Sequence, residues 1–411
     1  MVYRRDYPAN DKLDTILESR DLDGGAPAAL LSDNTLWTYK WLPDGRLIYV
    51  LLQRDITSSS CDFWQMRVDP DYGTPLEPAR HLTHWAGFCV GDLSATADGN
   101  RLVSNKWWVS TIVFVADFDK TGKSRLVPRR LNFSDSQEYP VAWTADSQQV
   151  VFLSRHTGKW GLFRQAPGDE RVQTIAEDAG GLVKGSISPD GQWILFLCCQ
   201  NPTTWEPLRL LRVRITGGTP QVVLSLSTAP EPVSNFSGRY FQPPGCSKSP
   251  ARLCVIVERT QDGRQLVFTS FDPMTGRGPE LLRYNIDPIS AYKWDLSPDG
   301  KRIAIFRRSE DRIHIVYLNG RAPEEMKVKG WKVLQAVYWA PDGRSLFVSS
   351  VKKSNSVLLY VSANGEAREL WDLPGEQDGG TDAYAVPSPD GRHLAIRGWS
   401  INSNMWMLEK F

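Results

Sequence analysis

Residues 186–197 read SISPDGQWILFL: a serine and a proline, Asp190 with Gly191, then an unbroken apolar run. Proline fixes φ ahead of a reversal, and the aspartate side chain bonds its own backbone two residues on. Glycine then takes the positive φ that completes the turn. The aromatic and branched residues that follow suit a buried strand. The phrase is a strand–turn–strand hairpin, and it recurs. WLPDGRLIYVLL starts at Trp41, LSATADGNRLVS at Leu93 and AWTADSQQVVFLS at Ala142. DLSPDGKRIAIF starts at Asp295, YWAPDGRSLFVS at Tyr338 and PSPDGRHLAIRGW at Pro387. The anchoring acids Asp44, Asp98, Asp146, Asp190, Asp299, Asp342 and Asp390 are separated by 54, 48, 44, 109, 43 and 48 residues.

The gap of 109 is about two periods and holds one degenerate copy. CSKSPARLCVIVER at Cys246 keeps Ser-Pro at Pro250 and the apolar strand, but has lost Asp-Gly. Eight anchors at roughly fifty-residue intervals match the ~40–50 residues of a four-stranded propeller blade. In the third period SQEYPVAWTAD is strand A, QVVFLSR is B, WGLFRQA is C and RVQTIA is D. A second turn separates C from D in DPDYGTP at Asp69, DFDKTG at Asp117, ITGGTP at Ile215 and SANGEA at Ser362. No helical amphipathic period runs through the chain. The fold expected is all-β: one β-propeller over residues 1–411, with eight four-stranded antiparallel blades. Seven is the alternative, if the degenerate copy or the composite end forms no full sheet.

The ends bear on closure. TDAYAVPSPD, HLAIRGW and NMWMLEKF read as A, B and C of a last blade without its outer strand. MVYRRDYP, DTILESRDLDGG and APAALLS read as B, C and D without A. An N-terminal strand completing the last blade would close the ring and protect its edges.

Composition agrees and excludes other classes. The 48 Lys+Arg nearly cancel the 47 Asp+Glu, so no net field steers the chain to nucleic acid or a membrane surface. The longest apolar run, Trp193 to Cys199, is far short of the ~18 residues that span a bilayer. No charged and apolar leader pattern opens the sequence. Six cysteines in 411 residues do not make a disulfide scaffold.

The repeats resemble the TolB-type variety of WD-like repeat. More narrowly, the chain resembles the C-terminal propeller of bacterial receptor-type serine/threonine protein kinases. The resemblance lies in LESRDLDGG at Leu17, WLPDGRLIY at Trp41, LSATADGNRL at Leu93 and YPVAWTADSQQVVFLS at Tyr139. It continues in LCVIVER at Leu253, WDLSPDGKRIAI at Trp294 and HLAIRGWSINSNMWMLEKF at His393, and so covers essentially the whole chain. It implies a kinase domain and a membrane span ahead of the propeller, which would lie on the periplasmic side. The chain departs from that family in holding no kinase motif: Gly276-Arg277-Gly278 lacks a third glycine, and neither His-Arg-Asp nor Asp-Phe-Gly occurs. Similar propellers also follow DNA-binding winged-helix domains.

The expectation is a non-catalytic sensor or scaffold propeller. It would bind a protein or small ligand, without cofactor, metal, nucleic acid or membrane insertion, and act as a monomer when isolated. Alternatives are the gating propeller of a serine peptidase and a TolB-like periplasmic interaction protein. Outside the receptor reading the compartment stays open. On a placement outside the cytoplasm, a disulfide between Cys246 and Cys254 would staple the degenerate turn. Two reduced, buried cysteines are the other reading. Adjacent Cys198 and Cys199 point to opposite strand faces.

Enzyme signatures fail on inspection. No G-x-S-x-G elbow occurs, and none of His81, His84, His156, His314 and His393 accompanies a nucleophile. His81 and His84 fall on opposite faces of a strand, which suits an outer-strand end rather than a metal site. Asp117, Asp119 and Gly122 mimic the start of a calcium loop, but Pro128 stands at its twelfth position. Gly122-Lys123-Ser124 lacks the first glycine of a phosphate loop. The candidate binding surface is the rim of B–C loops. It carries Arg54, Lys106 with Trp107 and Trp108, Arg155 with His156 and Trp160, and Trp205. Arg307 with Arg308, Lys352 with Lys353, and Arg397 with Trp399 complete it. Such a rim would suit an acidic or aromatic partner. The plainer reading is that a basic residue solvates each hairpin end.

Overall fold

The computed structural model describes residues 2–9, 12–21, 23–54, 59–69, 71–83, 89–119, 125–132, 134, 136–155, 159–177, 181–199, 208–226, 243–288, 290–308, 310–353, 355–373 and 383–409. Every regular element among them is a β-strand, and the strands form eight antiparallel sheets. This is the all-β propeller architecture expected from the repeats. The degenerate copy makes a full sheet of its own from Gly245–Cys246, Cys254–Arg259, Gln265–Asp272 and Gly276–Asn285. Of the two grounds for counting seven, the one resting on the degenerate copy therefore falls away.

The turn phrase works as its chemistry dictates. Ser188 Oγ donates to Asp190 Oδ1 at 2.5 Å, the Gln192 amide donates to the same oxygen at 3.0 Å, and the Trp193 amide donates to Ser188 Oγ at 3.0 Å. Gly191 has φ 72°. The same set recurs at Ser297 with Asp299, Ser388 with Asp390, and Thr144 with Asp146. In the degenerate turn Ser247 keeps its part: its Oγ accepts the Leu253 amide at 3.0 Å and donates to the Ala251 carbonyl at 2.8 Å. Cys246 and Cys254 pair directly behind it and are disulfide-bonded, with Cα atoms 4.1 Å apart. Asp262 and Gly263 place the missing phrase one hairpin later, with Thr260 Oγ1 donating to Asp262 Oδ1 at 2.6 Å.

The chain divides into two compact units, 1–109 with 400–411, and 110–399. The first holds a three-stranded sheet, Val2–Ala9, Lys12–Ser19 and Ala28–Ser32, matching the B, C and D reading of the N-terminus. Its four-stranded sheet is Leu36–Trp41, Arg46–Arg54, Ser59–Arg67 and Arg80–His81. Cys89–Ala95 pairs with residues 102–107 of the strand Arg101–Asp117. Leu17, Leu47 and Tyr49 pack in one apolar cluster, and Ile48, Phe63 and Leu102 in another. A second disulfide, Cys61–Cys89, joins this unit's strands.

The second unit contains five four-stranded sheets and a sixth of mixed origin. That sixth sheet runs from Tyr384–Pro387 through residues 393–399 and 110–117 to Arg129–Arg130. Its inner strand Tyr384–Pro387 packs beside Leu334–Trp339 on one side and Glu138–Trp143 on the other, so the six inner strands follow one another in a closed circuit. Trp143 Nε1 donates to the Val386 carbonyl at 3.0 Å, and Tyr384 Oη donates to the Pro140 carbonyl at 3.1 Å. The closing strands come from residues 110–117 and 129–130, not from the N-terminus.

Two expected hairpins do not exist. Residues 101–117 are one 17-residue strand, and so are 393–409, where separate B and C strands with loops at Lys106–Trp108 and Arg397–Trp399 were expected. The physical reason is the missing turn chemistry: residues 101–117 contain neither Gly nor Pro, and in 393–409 Gly398 stands alone, without positive φ. Gly398 serves close packing instead, since a Cβ there would sit 2.6 Å from the Phe114 ring.

Candidate ligand-binding cavity

The six inner strands of the 110–399 unit enclose a cavity of about 390 Å³, within the ~300–1,000 Å³ of small-molecule sites. It reaches the A–B turns, where Pro189, Pro298, Pro387 and Pro389 form part of its wall. Aromatic faces come from Tyr139, Trp143, Tyr338, Trp339 and Tyr384. Tyr338 and Trp339 are consecutive and so fall on opposite faces of their strand, Trp339 packing into a buried core cluster. The Tyr338 and Tyr384 rings stack at 5.6 Å and 22°.

Two charged side chains line this cavity among the described residues, Asp295 and Lys248. Asp295 Oδ2 accepts the Trp339 amide at 2.7 Å, and Trp339 Nε1 donates to the Asp295 carbonyl at 3.2 Å. Burial pushes the Asp295 carboxyl up to about 7, against the opposing pull of the Trp339 and Leu296 amides and of Lys248. Asp295 also borders a side void of about 30 Å³ with Lys293 and Tyr338. A void of that size holds water rather than a larger ligand. These residues escaped the sequence reading, although a signal was present: an aspartate inside the apolar strand KWDL, ahead of its turn.

The rim residues scatter. Arg54 ends the strand Arg46–Arg54, and Trp107 lies mid-strand opposite Cys89 with Trp108 next to it, all in the first unit. His156 and Trp205 lie outside the described residues. In the second unit, Arg155 follows Val150–Ser154 with its guanidinium 5.9 Å from the Trp160 ring, and Trp160 meets Tyr139 at 5.8 Å. The Arg397 guanidinium lies 4.8 Å from the Tyr139 ring and 6.0 Å from that of Tyr384. Two of the predicted residues, Trp160 and Arg397, thus meet one cavity-lining tyrosine, and Arg155 reaches it through Trp160. Arg307 is held by Glu310 at 2.7 Å and Asp287 at 3.7 Å, while the Arg308 amide donates to the Ala291 carbonyl. Trp399 is 7% exposed inside its strand. His81 is a strand-end residue, stacked on Trp64 at 4.2 Å with Nε2 3.3 Å from Asp62, and His84 lies outside the described residues. Among the described residues no group of three or more His, Cys, Asp or Glu side chains is placed to hold a metal, and no helix is long and apolar enough to cross a membrane.

The fold and the cavity define a β-propeller with a lined central channel. The chain is similar to the putative TolB from Agrobacterium tumefaciens, with a TM-score of 0.50 at 16% identity, over 71% of this chain and 99% of that one. TolB from Acinetobacter baumannii gives a TM-score of 0.41 at 16% identity, over 81% of each chain. In sequence, 119 residues are 26% identical to a subunit of eukaryotic translation initiation factor 3 from Xenopus laevis, a match covering 27% of this chain and 17% of that protein. The chain thus spans less than a fifth of that relative's length. No family model matches the chain.

Proposed function

We propose that this protein is a non-catalytic binding propeller whose ligand enters the central cavity of the 110–399 unit. On the finer reading it is the sensor domain of a bacterial receptor-type serine/threonine kinase, placed on the periplasmic side. The observation that carries the binding role is the cavity itself, ringed by six inner strands and lined by five aromatic residues and the half-buried Asp295. Large apolar pockets with a few convergent polar groups are the default binding sites of folded proteins. The kinase association rests on the resemblance of the repeats and of the two chain ends. Two disulfides favour an oxidising compartment.

Fragment soaking with crystallographic mapping tests the binding role, with Ser186→Trp as a variant that fills the cavity. Fragments should cluster against Tyr338 and Tyr384, and vanish from there in Ser186→Trp with the melting temperature held. Clustering on the Arg307 loops instead would overturn the reading. Sequencing the genomic locus tests the association: an in-frame kinase and membrane span upstream supports it, and an in-frame hydrolase overturns it.

A further inference from the structure

We infer that this chain pairs with a second copy of itself, strand to strand, along residues 400–409, in place of the isolated monomer that the sequence suggests. The inference is independent of the cavity. The strand His393–Glu409 has one edge against the strand Arg101–Asp117. Its other edge takes Tyr384–Pro387 at residues 394–397, and along 400–409 it meets no strand among the described residues. That half belongs to the first unit, where it is the third strand of a sheet with 101–109 and Cys89–Ala95. It is held there by the Arg101–Glu409 ion pair at 2.9 Å and by the Lys106 ammonium 4.1 Å from the Trp406 ring. Leu408 packs on the cluster that contains Ile48, Phe63 and Leu102.

Ser403 to Met407 are all exposed, and alternation puts them on both faces of the strand. Met405 is 70% exposed, Trp406 43% and Met407 54%. Outer strands are ordinarily kept from pairing by shortness, charge or proline. The other outer strands of this chain obey that rule. Arg80–His81 and Arg129–Arg130 are two residues long, and Gln173–Ala176, Gln221–Ser225 and Ala28–Ser32 have at most five. Gly276–Asn285, Glu324–Lys327 and Ala367–Leu373 carry charges, and the first also carries Pro279. Residues 398–408 hold neither a charged side chain nor a proline.

That neutrality selects the occupant. Antiparallel pairing of this edge with its own copy sets neutral residues against neutral residues, with Met405 and Met407 on one face and Trp406 on the other. A two-fold at Met405 places Glu409 across from Ile401. The two Arg101–Glu409 pairs then lie about 27 Å apart along the strands, so no like charges meet. The unbranched methionines adapt to one another's shape. The three strands of each copy become one six-stranded sheet, the same main-chain pairing by which a strand adds to an exposed edge.

Sedimentation velocity of the whole chain, across a hundredfold range of micromolar concentrations, tests this. The parent should sediment as a dimer. Met405→Lys and Met405→Glu each bring like charges together across the two-fold, and each should weaken the dimer about tenfold or more. Both should keep the circular dichroism of the parent, because Met405 is exposed. An equimolar mixture of the two variants should dimerise again, since Lys then faces Glu. A parent that stays monomeric throughout overturns the inference. So do variants that dimerise as the parent does, or a mixture no tighter than either variant alone.

Discussion

The indole N–H of Trp143 donates to the Val386 carbonyl at 3.0 Å and joins two inner strands separated by 243 residues of chain. Tyr384 Oη supports the same junction through the Pro140 carbonyl. Trp143→Ala should cost about 3–5 kcal/mol in urea unfolding, from its lost volume and hydrogen bond. Tyr384→Phe should cost only about 1 kcal/mol. Equal, small losses at both positions would show that the circuit closes without this junction.

Glu138 is 2% exposed and begins the strand on which Trp143 lies. Burial raises its carboxyl to about 7, although Asn132 Nδ2 donates to Oε1 at 3.1 Å. Its folded pKa exceeds the unfolded value, so its contribution is fully present below about pH 4. That contribution is lost as pH rises to about 7. The loss is on the order of 3 kcal/mol. Glu138→Gln should match the parent's stability near pH 4 and exceed it at pH 8. A variant less stable at pH 8 would overturn this.

The turn carboxylates behave in the opposite sense. The Thr96 hydroxyl, with the Asn100 amide, holds Asp98 down to about 2, and Thr144 and Thr260 lower Asp146 and Asp262. Stability from these turns is present above about pH 4 and is lost as pH falls toward 2. The triple variant Asp98→Asn, Asp146→Asn, Asp262→Asn should show a flatter melting temperature between pH 4.5 and 2.5 than the parent. An unchanged acid limb would remove the turns as its cause.

Cys246–Cys254 closes a short loop at the one repeat turn without Asp-Gly. Replacing both cysteines by serine should cost about 2–3 kcal/mol. Placing Asp-Gly in that turn should recover part of the loss. A double-serine variant as stable as the parent would show that Ser247 alone holds the turn.

Trp399 and Arg307 separate packing from surface. Trp399→Ala should cost about 3–5 kcal/mol, as for a buried tryptophan. Arg307→Ala should cost ~1 kcal/mol or less, because its ion pairs with Glu310 and Asp287 are solvent-exposed. Chemical denaturation of both variants decides it. Similar losses would place Trp399 on the surface.

Residues 188–193 specify their hairpin by themselves, because Ser188, Asp190, Gly191 and the amides they bind lie within five positions of one another. The strand that follows each turn and the Cys246–Cys254 hairpin were legible for that reason. The turns at Asp98 and Asp390, however, join one five-stranded sheet, and the three-stranded N-terminal sheet carries no such turn. The two 17-residue strands were not, because the repeat period suggested loops that local turn chemistry did not supply. The ring closure and the cavity belong wholly to the tertiary structure. Trp143 meets Val386, and Asp295 meets Trp339 and the neighbourhood of Lys248, only because six strands of separate hairpins pack around one axis. No term in the local sequence sets those distances. The raised carboxyl of Asp295 follows from burial that only the assembled ring provides.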